Sequence, residues 1–239
     1  MIQCQECQSD TTVKNGIVRQ KQRYKCKSCG CNFIIGDSGI NPATELKRQT
    51  CVLFYSLGKA SFRFLAKLFD VSPATTYQWV GKSAETLGEP VVSAGVKEIE
   101  IDEMWHFLHS KKNKRWIIKA LDRNTRRTVA WVVGGRDAAT VRRLYCKLEQ
   151  LNDCLFYTDD WDACAKVLPP ERHLIGKKYT VAIEPDNSNT RHHLGRMSRR
   201  TKIVSQSEEM IGLSIRLWHA LATPEIFTEY QRKFISIYN

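Results

Sequence analysis

Two aspartates stand side by side in F-Y-T-D-D-W, residues 156–161, at the end of a short apolar run. A third, Asp102, lies inside E-I-E-I-D-E-M-W-H-F-L, and Glu184 opens the stretch E-P-D-N-S-N-T-R-H-H-L-G-R. Carboxylates brought close together repel one another unless a cation joins them, and the hard divalent ions Mg2+ and Mn2+ take oxygen ligands of this kind. Two such ions about 3.5–4 Å apart activate an attacking oxygen and stabilise a leaving one in phosphodiester transfer. Which member of the Asp159–Asp160 pair would take part turns on strand direction, because successive strand residues point opposite ways.

A second donor set is made of sulfur. Cys4-x-x-Cys7 and Cys26-x-x-Cys29 are separated by eighteen residues. In a chain whose N-terminus lacks the basic, apolar and small-residue succession of a secretory signal, this spacing favours a metal over disulfides. Two such knuckles bind one tetrahedral Zn2+ while the segment between them returns as a hairpin. Asn15-Gly16 marks the turn and Gln22-Arg23-Tyr24 the returning strand. A segment this short and polar has little core without the ion, which predicts a structural zinc ribbon over residues 1–35. Cys31 reads as a bystander, and Cys146, Cys154 and Cys164, on or beside apolar runs, as buried thiols. Lys14, Arg19, Lys21, Arg23, Lys25 and Lys27 surround the knuckles and are available to phosphates.

The rest of the chain must position these groups. Its 239 residues carry 37 Lys and Arg against 25 Asp and Glu, a net charge of +12, and 42% are hydrophobic. The mean hydropathy of −0.39 is that of a globular protein, and no apolar run reaches the ~18–20 residues of a membrane helix. The excess of positive charge points to a polyanionic partner, and the missing signal to a cytoplasmic location with the nucleoid. Residues 34–43 read as a linker. A helix over 44–57 is followed by a second over 60–69, with Phe62, Leu65 and Phe69 on one face, and by a third beginning after the N-cap Ser72 with Pro73 at its first position. The short break at Asp70-Val71 makes the last two a helix-turn-helix within a 42–87 module, its second helix carrying Lys82 and suited to the major groove. Residues 88–96 read as a second linker.

From Lys97 the period changes to two. Ile99, Ile101, Trp105 and Phe107 share one strand face and Asp102 the other; alternation sends Glu103 to the core-facing side, as a structural residue. R-W-I-I-K-A-L and R-T-V-A-W-V-V-G-G follow after short polar turns and predict an antiparallel meander. A helix over 138–151 leads to a buried strand at 154–157, parallel to the first. The order β-β-β-α-β-α predicts an α/β fold, a mixed sheet flanked by helices, over residues 97–239. Glu184 falls at the start of a further helix with Pro185 at its first position, and Arg191, Arg196, Arg199 and Arg200 make a basic stripe on that helix. The tail from Ser207 predicts amphipathic helices through Met210, Leu213, Leu217 and Trp218 that pack on the sheet or on a second subunit.

The succession of ribbon, helix-turn-helix, D-E-M-W, Y-T-D-D-W and I-E-P-D-N-S-N-T-R-H-H-L-G-R resembles the transposases of the insertion-sequence-one family over nearly the whole chain. The resemblance implies a DDE transposase with an RNase H-like catalytic domain, in which Asp102, Asp159 and Glu184 hold Mg2+ or Mn2+. The family places twenty-four residues between its second aspartate and its glutamate, the interval from Asp159 to Glu184. It implies double-stranded DNA as partner, both terminal inverted repeats and target, and a homo-oligomer holding two ends together. Two residues depart from the family's pattern: Asp160 stands where the family usually has glycine, and Pro185 where it has a basic residue. Proline disfavours helical geometry in the residue before it, which predicts Glu184 as a cap rather than a member of the first turn. The competing reading is a DNA-binding regulator of the element with an inactive catalytic domain.

Overall fold

The computed structural model describes residues 2–18, 20–36 and 42–236. Arg19 and residues 37–41 of the 34–43 linker therefore lie outside the described residues. The chain divides into two compact units, Met1–Lys47 and Arg48–Asn239.

In the first unit, β1 (Thr12–Val18), β2 (Lys21–Cys26) and β3 (Asn32–Ile34) form an antiparallel sheet in chain order. Asn15-Gly16 is not the hairpin turn. It lies within β1, where the register shifts between Lys14 and Ile17, and Val18 pairs with Lys21 at the reversal. Gly16, at φ +77°, takes the left-handed conformation that an extra residue in a strand requires, so the same dipeptide signal serves a bulge. Tyr24 pairs with Phe33 across β2 and β3, their ring centroids 5.9 Å apart. Beyond them the core of this unit is Cys4 and Cys26, too little apolar surface to hold it folded alone.

Three helices follow: α1 (Pro42–Leu57), α2 (Phe62–Phe69) and α3 (Pro73–Leu87). Ser61 caps α2 by accepting from the Phe64 N–H, and Ser72 caps α3 by accepting from Thr75, with Pro73 directly after the cap. Asp70 ends α2 at φ +53°, turning the chain within three residues.

The sheet of the second unit contains β4 (Glu98–Phe107), β5 (Lys114–Asp122) and β6 (Arg127–Gly134), an antiparallel meander. After α4 (Ala138–Cys146), β7 (Leu155–Thr158) returns parallel to β4. A single turn, α5 (Asp162–Ala165), leads to β8 (His173–Ile175), parallel to β7. The order β6-β5-β4-β7-β8, with helices on both faces, is an RNase H-like mixed sheet. Completing it are α6 (Ile183–His193), α7 (Glu208–Leu221) and α8 (Pro224–Ile235).

Alternation assigns the two faces. Ile99, Ile101, Ile118, Ala120, Ala130 and Val132 pack with Val141 and Leu144 of α4 and with Leu148 just beyond it. Met104, Ile117, Trp131 and Val133 face α7, and in that layer they join Val52, Tyr55, Leu65 and Val80 from the three front helices. The helices from Arg48 onward and the sheet therefore share one hydrophobic core. α4 is shorter than expected, and Cys146 at its end is exposed rather than buried; Cys154 and Cys164 are buried. No described helix is long and apolar enough to cross a membrane.

Candidate active site

The sulfurs of Cys4, Cys7, Cys26 and Cys29 all lie within 4.8 Å of one another. Two of the separations, Cys4 to Cys29 and Cys7 to Cys26, are 3.6 Å. A tetrahedral ion with Zn–S bonds of about 2.3 Å sets its ligand sulfurs about 3.8 Å apart, so the donor set and its spacing fit Zn2+. The backbone N–H of Cys29 leads in drawing the Cys26 thiol down to about 6, toward the thiolate a metal takes. Cys31 is outside the cluster, its thiol directed to the Asn32 carbonyl.

The second cluster forms where β7 ends. Glu100 pairs with Tyr157 in the β4–β7 ladder, and two residues further along each strand stand Asp102 and Asp159, so the register sets them level. Past this point β4 has no strand on that side, and side chains from both its faces reach the open edge. Oxygens of Asp102, Glu103 and Asp159 come within 4.8 Å of one another. Glu103 leaves the strand on the face opposite Asp102, as alternation has it, and is largely buried and paired with Arg136, yet at this edge its longer side chain also carries the carboxylate to the cluster. Asp160 is exposed and outside the cluster. Burial, and then the charges of Glu103 and Asp159, push Asp102 up to about 6. Burial likewise raises Glu103, against the pull of Arg136.

Glu184 is exposed and borders the same open groove, of about 500 Å3, together with Asp102, Glu103, Asn187 and Arg199; its carboxylate is not part of the three-residue cluster. Despite Pro185, Glu184 lies in the first turn of α6 and not at its cap. Proline is tolerated there because the first-turn N–H groups have no intrahelical acceptor to lose. The cap comes from β4: the buried Glu100 carboxylate accepts from the Ala182 and Ile183 N–H groups at 2.8 and 2.9 Å. Asn187 donates to Asp102 at 2.9 Å. Lys119, paired with Asp102 across the β4–β5 ladder and fully buried, donates to Asp186 and to Thr190 Oγ1 at 3.0 Å. Thr128 donates to the same Asp186 carboxylate at 2.9 Å. Burial lowers the Lys119 pKa while Asp186 opposes it.

Four side chains thus dock α6 on the sheet that carries Asp102. Sequence reading missed Glu100, Lys119, Asp186 and Asn187, although two signals were present. Glu98, Glu100 and Asp102 place acids at every second residue of a buried strand, and Lys119 interrupts the apolar run W-I-I-K-A-L. Lys119→Met leaves the Asp186 carboxylate without its cation and is expected to cost about 3–5 kcal/mol in urea unfolding. Lys119→Met/Asp186→Leu is expected to recover most of that loss. A single variant as stable as the parent would show that the pair does not hold α6.

The IS1 transposase family model matches residues 96–219, more than half of the 239-residue chain. The chain belongs to the IS1 transposase family. Its relatives include the insertion element IS1 2 protein InsB of Escherichia coli strain K12, 36% identical over 124 residues, which are 50% of this chain and 74% of that protein. Another, the insertion element IS1 protein InsB of Shigella flexneri, is 38% identical over 111 residues, 46% of this chain and 85% of that protein. Among solved structures, the catalytic core domain of BIV integrase aligns at a TM-score of 0.34 and 14% identity, over 61% of this chain and 100% of its own.

The basic stripe of this IS1-family chain is divided by its fold. α6 ends at His193, so Arg196, Arg199 and Arg200 do not continue it. Arg196 lies in the short turn after it and is 4% exposed, its Nε donating to the Tyr55 hydroxyl and its guanidinium lying over the Tyr55 and Phe62 rings. It therefore ties the turn after α6 to the front helices α1 and α2, and is not available to a phosphate. Arg191 donates to the carbonyls of Met197 and Trp105, and burial draws it down to about 10. Arg199 and Arg200 are exposed, Arg199 at the groove, and Lys82 is exposed on α3. In the ribbon, Arg23 is half-buried and donates to the Asn15 carbonyl at 2.9 Å, beside the bulge.

The family places the chain among transposases, and among the described residues the acid cluster is a group that could take a hard cation. Glu103 Oε2 and Asn187 Oδ1 are buried acceptors without a hydrogen-bond partner among the described residues, and both residues border the groove. Unpaired oxygen acceptors beside uncompensated carboxylates fit Mg2+ or Mn2+. Because Asp102 must be ionised to serve as a ligand, Mn2+ affinity is expected to be level above about pH 7. It should fall about tenfold per pH unit once the pH drops below about 6. Calorimetric titration across that range checks this, and equal affinity on both sides of pH 6 would remove Asp102 from the ligand set.

Proposed function

We propose that the chain is a DDE-type polynucleotidyl transferase that binds the terminal inverted repeats of an insertion element, cleaves the DNA at its ends and joins them to target DNA. The observation that carries this reading is the meeting of Asp102, Glu103 and Asp159 at the open edge of the RNase H-like sheet, beside a groove lined by Asp102, Glu103, Glu184 and Arg199.

In this reading Asp102 and Asp159 hold the divalent cation and Glu184 adds the third carboxylate from α6. A cation bound there supplies Lewis-acid stabilisation of the charge that builds on the phosphodiester oxygens. Glu100, Lys119 and Asn187 fix the helix bearing Glu184, so that the carboxylates need not reorganise as charge develops. Water attacks the phosphodiester at the element's end, and the 3′-hydroxyl released there attacks target DNA. Arg199 and Arg200 offer positive charge to the backbone entering the groove. The capped α2–α3 pair supports reading of the repeats by the exposed face of α3, with Lys82 toward phosphates, and the ribbon adds Lys14, Lys21, Lys25 and Lys27, all exposed. Two ends processed together call for more than one copy of the chain.

The test is an end-cleavage and strand-transfer assay on duplex DNA carrying the terminal repeats, with Mg2+ or Mn2+, comparing the natural chain with Asp159→Asn. Metal-dependent joining by the natural chain alone is the expected result. Repeat binding without metal-dependent joining would instead make the chain a regulator of the element.

A further inference from the structure

Glu103 is used only in part by what has been described. One of its oxygens, Oε1, accepts from both Nε and a terminal nitrogen of Arg136, at 2.8 and 2.7 Å. The guanidinium of Arg136 is itself held between two rings, 5.3 Å from the centroid of Trp116 and 5.0 Å from that of Trp161. This clamp fixes the carboxylate by one oxygen and leaves the other free. That other oxygen, Oε2, is buried on a side chain only 8% exposed, and it has no hydrogen-bond partner among the described residues. A carboxylate oxygen taken out of water and left unpaired is costly, and such an atom is retained where something else satisfies it. A forked guanidinium commonly engages both oxygens of a carboxylate, and here Arg136, itself partly exposed, engages only one.

Building on the proposed transposase site, we infer that Glu103 is a direct ligand of the divalent cation, its Oε2 joining Asp102 and Asp159 while Arg136 holds Oε1. The charges agree with this. The three clustered carboxylates are met by the single guanidinium of Arg136, so the cluster keeps an excess of negative charge for a cation even before Glu184 is counted. The site thereby has its first two acids on consecutive residues of one strand, leaving it on opposite faces and meeting again beyond the end of β7.

The probe is Mn2+ itself, titrated into the full-length Zn2+-saturated chain by calorimetry and by loss of the free-ion paramagnetic resonance signal. Glu103→Gln keeps an acceptor for Arg136 and replaces the free oxygen by an amide nitrogen, so it is expected to weaken Mn2+ binding at least ~10-fold with the metal-free melting temperature little changed. Unchanged Mn2+ affinity in this variant overturns the inference. Asp102→Asn and Asp159→Asn separate the two levels of argument: if they weaken binding and Glu103→Gln does not, Glu103 alone is misassigned, whereas if none of the three matters the site reading fails as well. Arg136→Met provides a second measurement that does not depend on the folding of the Glu103 variant. With its guanidinium partner gone, Glu103 gains more from the cation, so Mn2+ is expected to raise the melting temperature of Arg136→Met by more than that of the natural chain. An equal or smaller rise overturns the inference.

Discussion

Asp159→Asn is expected to lower strand transfer at least ~10³-fold, about 4 kcal/mol of transition-state stabilisation, while Asp160→Asn stays within about threefold of the natural chain. The two aspartates are adjacent, equally acidic and share the end of one strand, so the contrast isolates geometry from chemistry. The β4–β7 register sets Asp159 level with Asp102 and its carboxylate within the cluster, while Asp160 is exposed. Asparagine keeps the size and one acceptor oxygen but not the charge, so a loss of this size reports a role for the anion. Repeat binding, measured by gel shift at fixed salt, should be unaffected by either change. An inactive Asp160→Asn with an active Asp159→Asn would mean that the chain past Thr158 is turned the other way.

Removing metal from the ribbon is the second large effect. Structural zinc in small Cys-rich modules contributes about 10–16 kcal/mol of apparent binding free energy, far more than the stability such a module could draw from its own core. Here that core is Phe33 and the ligand cysteines, with Tyr24 and Ile2 partly covering it. Chelation, or Cys26→Ser, is therefore expected to unfold residues 1–35, while the unit beginning at Arg48 keeps its thermal transition. Amide exchange resolved by peptide reads both at once: protection over β1 and β2 should vanish and that over β4 to β6 remain, with Zn2+ restoring the chelated protein but not the variant. Ribbon amides still protected after chelation would show that the fold does not need the ion.

Much of this architecture was legible because it follows from local rules. Ser61 and Ser72 announce helix starts that their hydroxyls do cap, and the period-two runs at 99–107, 114–122 and 127–134 form a meander because short polar turns leave little else possible. What could not be read depended on distant partners. Arg196 looks like a phosphate ligand until Tyr55 and Phe62 are seen to enclose it. Asn15-Gly16 has one composition and two outlets, a turn or a bulge, and register alone chooses. Glu103 is harder still. Alternation gave its side of the strand but not the meeting of its carboxylate with Asp102 and Asp159, because alternation describes a sheet's faces and the cluster lies at an edge where β7 has stopped.

The core that Val52, Leu65 and Val80 share with Ile117, Trp131 and α7 bears on how the chain can be taken apart. Residues 88–96 look like a natural place to cut, with glycines, a proline and small residues between a helical stretch and a strand. Cutting there would not yield two pieces that fold: each would carry half of one interior, with Tyr55 parted from Ser214 and Arg196 stripped of its enclosure. The seam between the two compact units lies earlier, in the first turns of α1, and a cut that respects it falls ahead of that helix and leaves α1 whole. Fragments, fusions and exchanges of specificity between relatives that respect that seam inherit an intact interior, and those that divide the chain at the apparent linker inherit an exposed one.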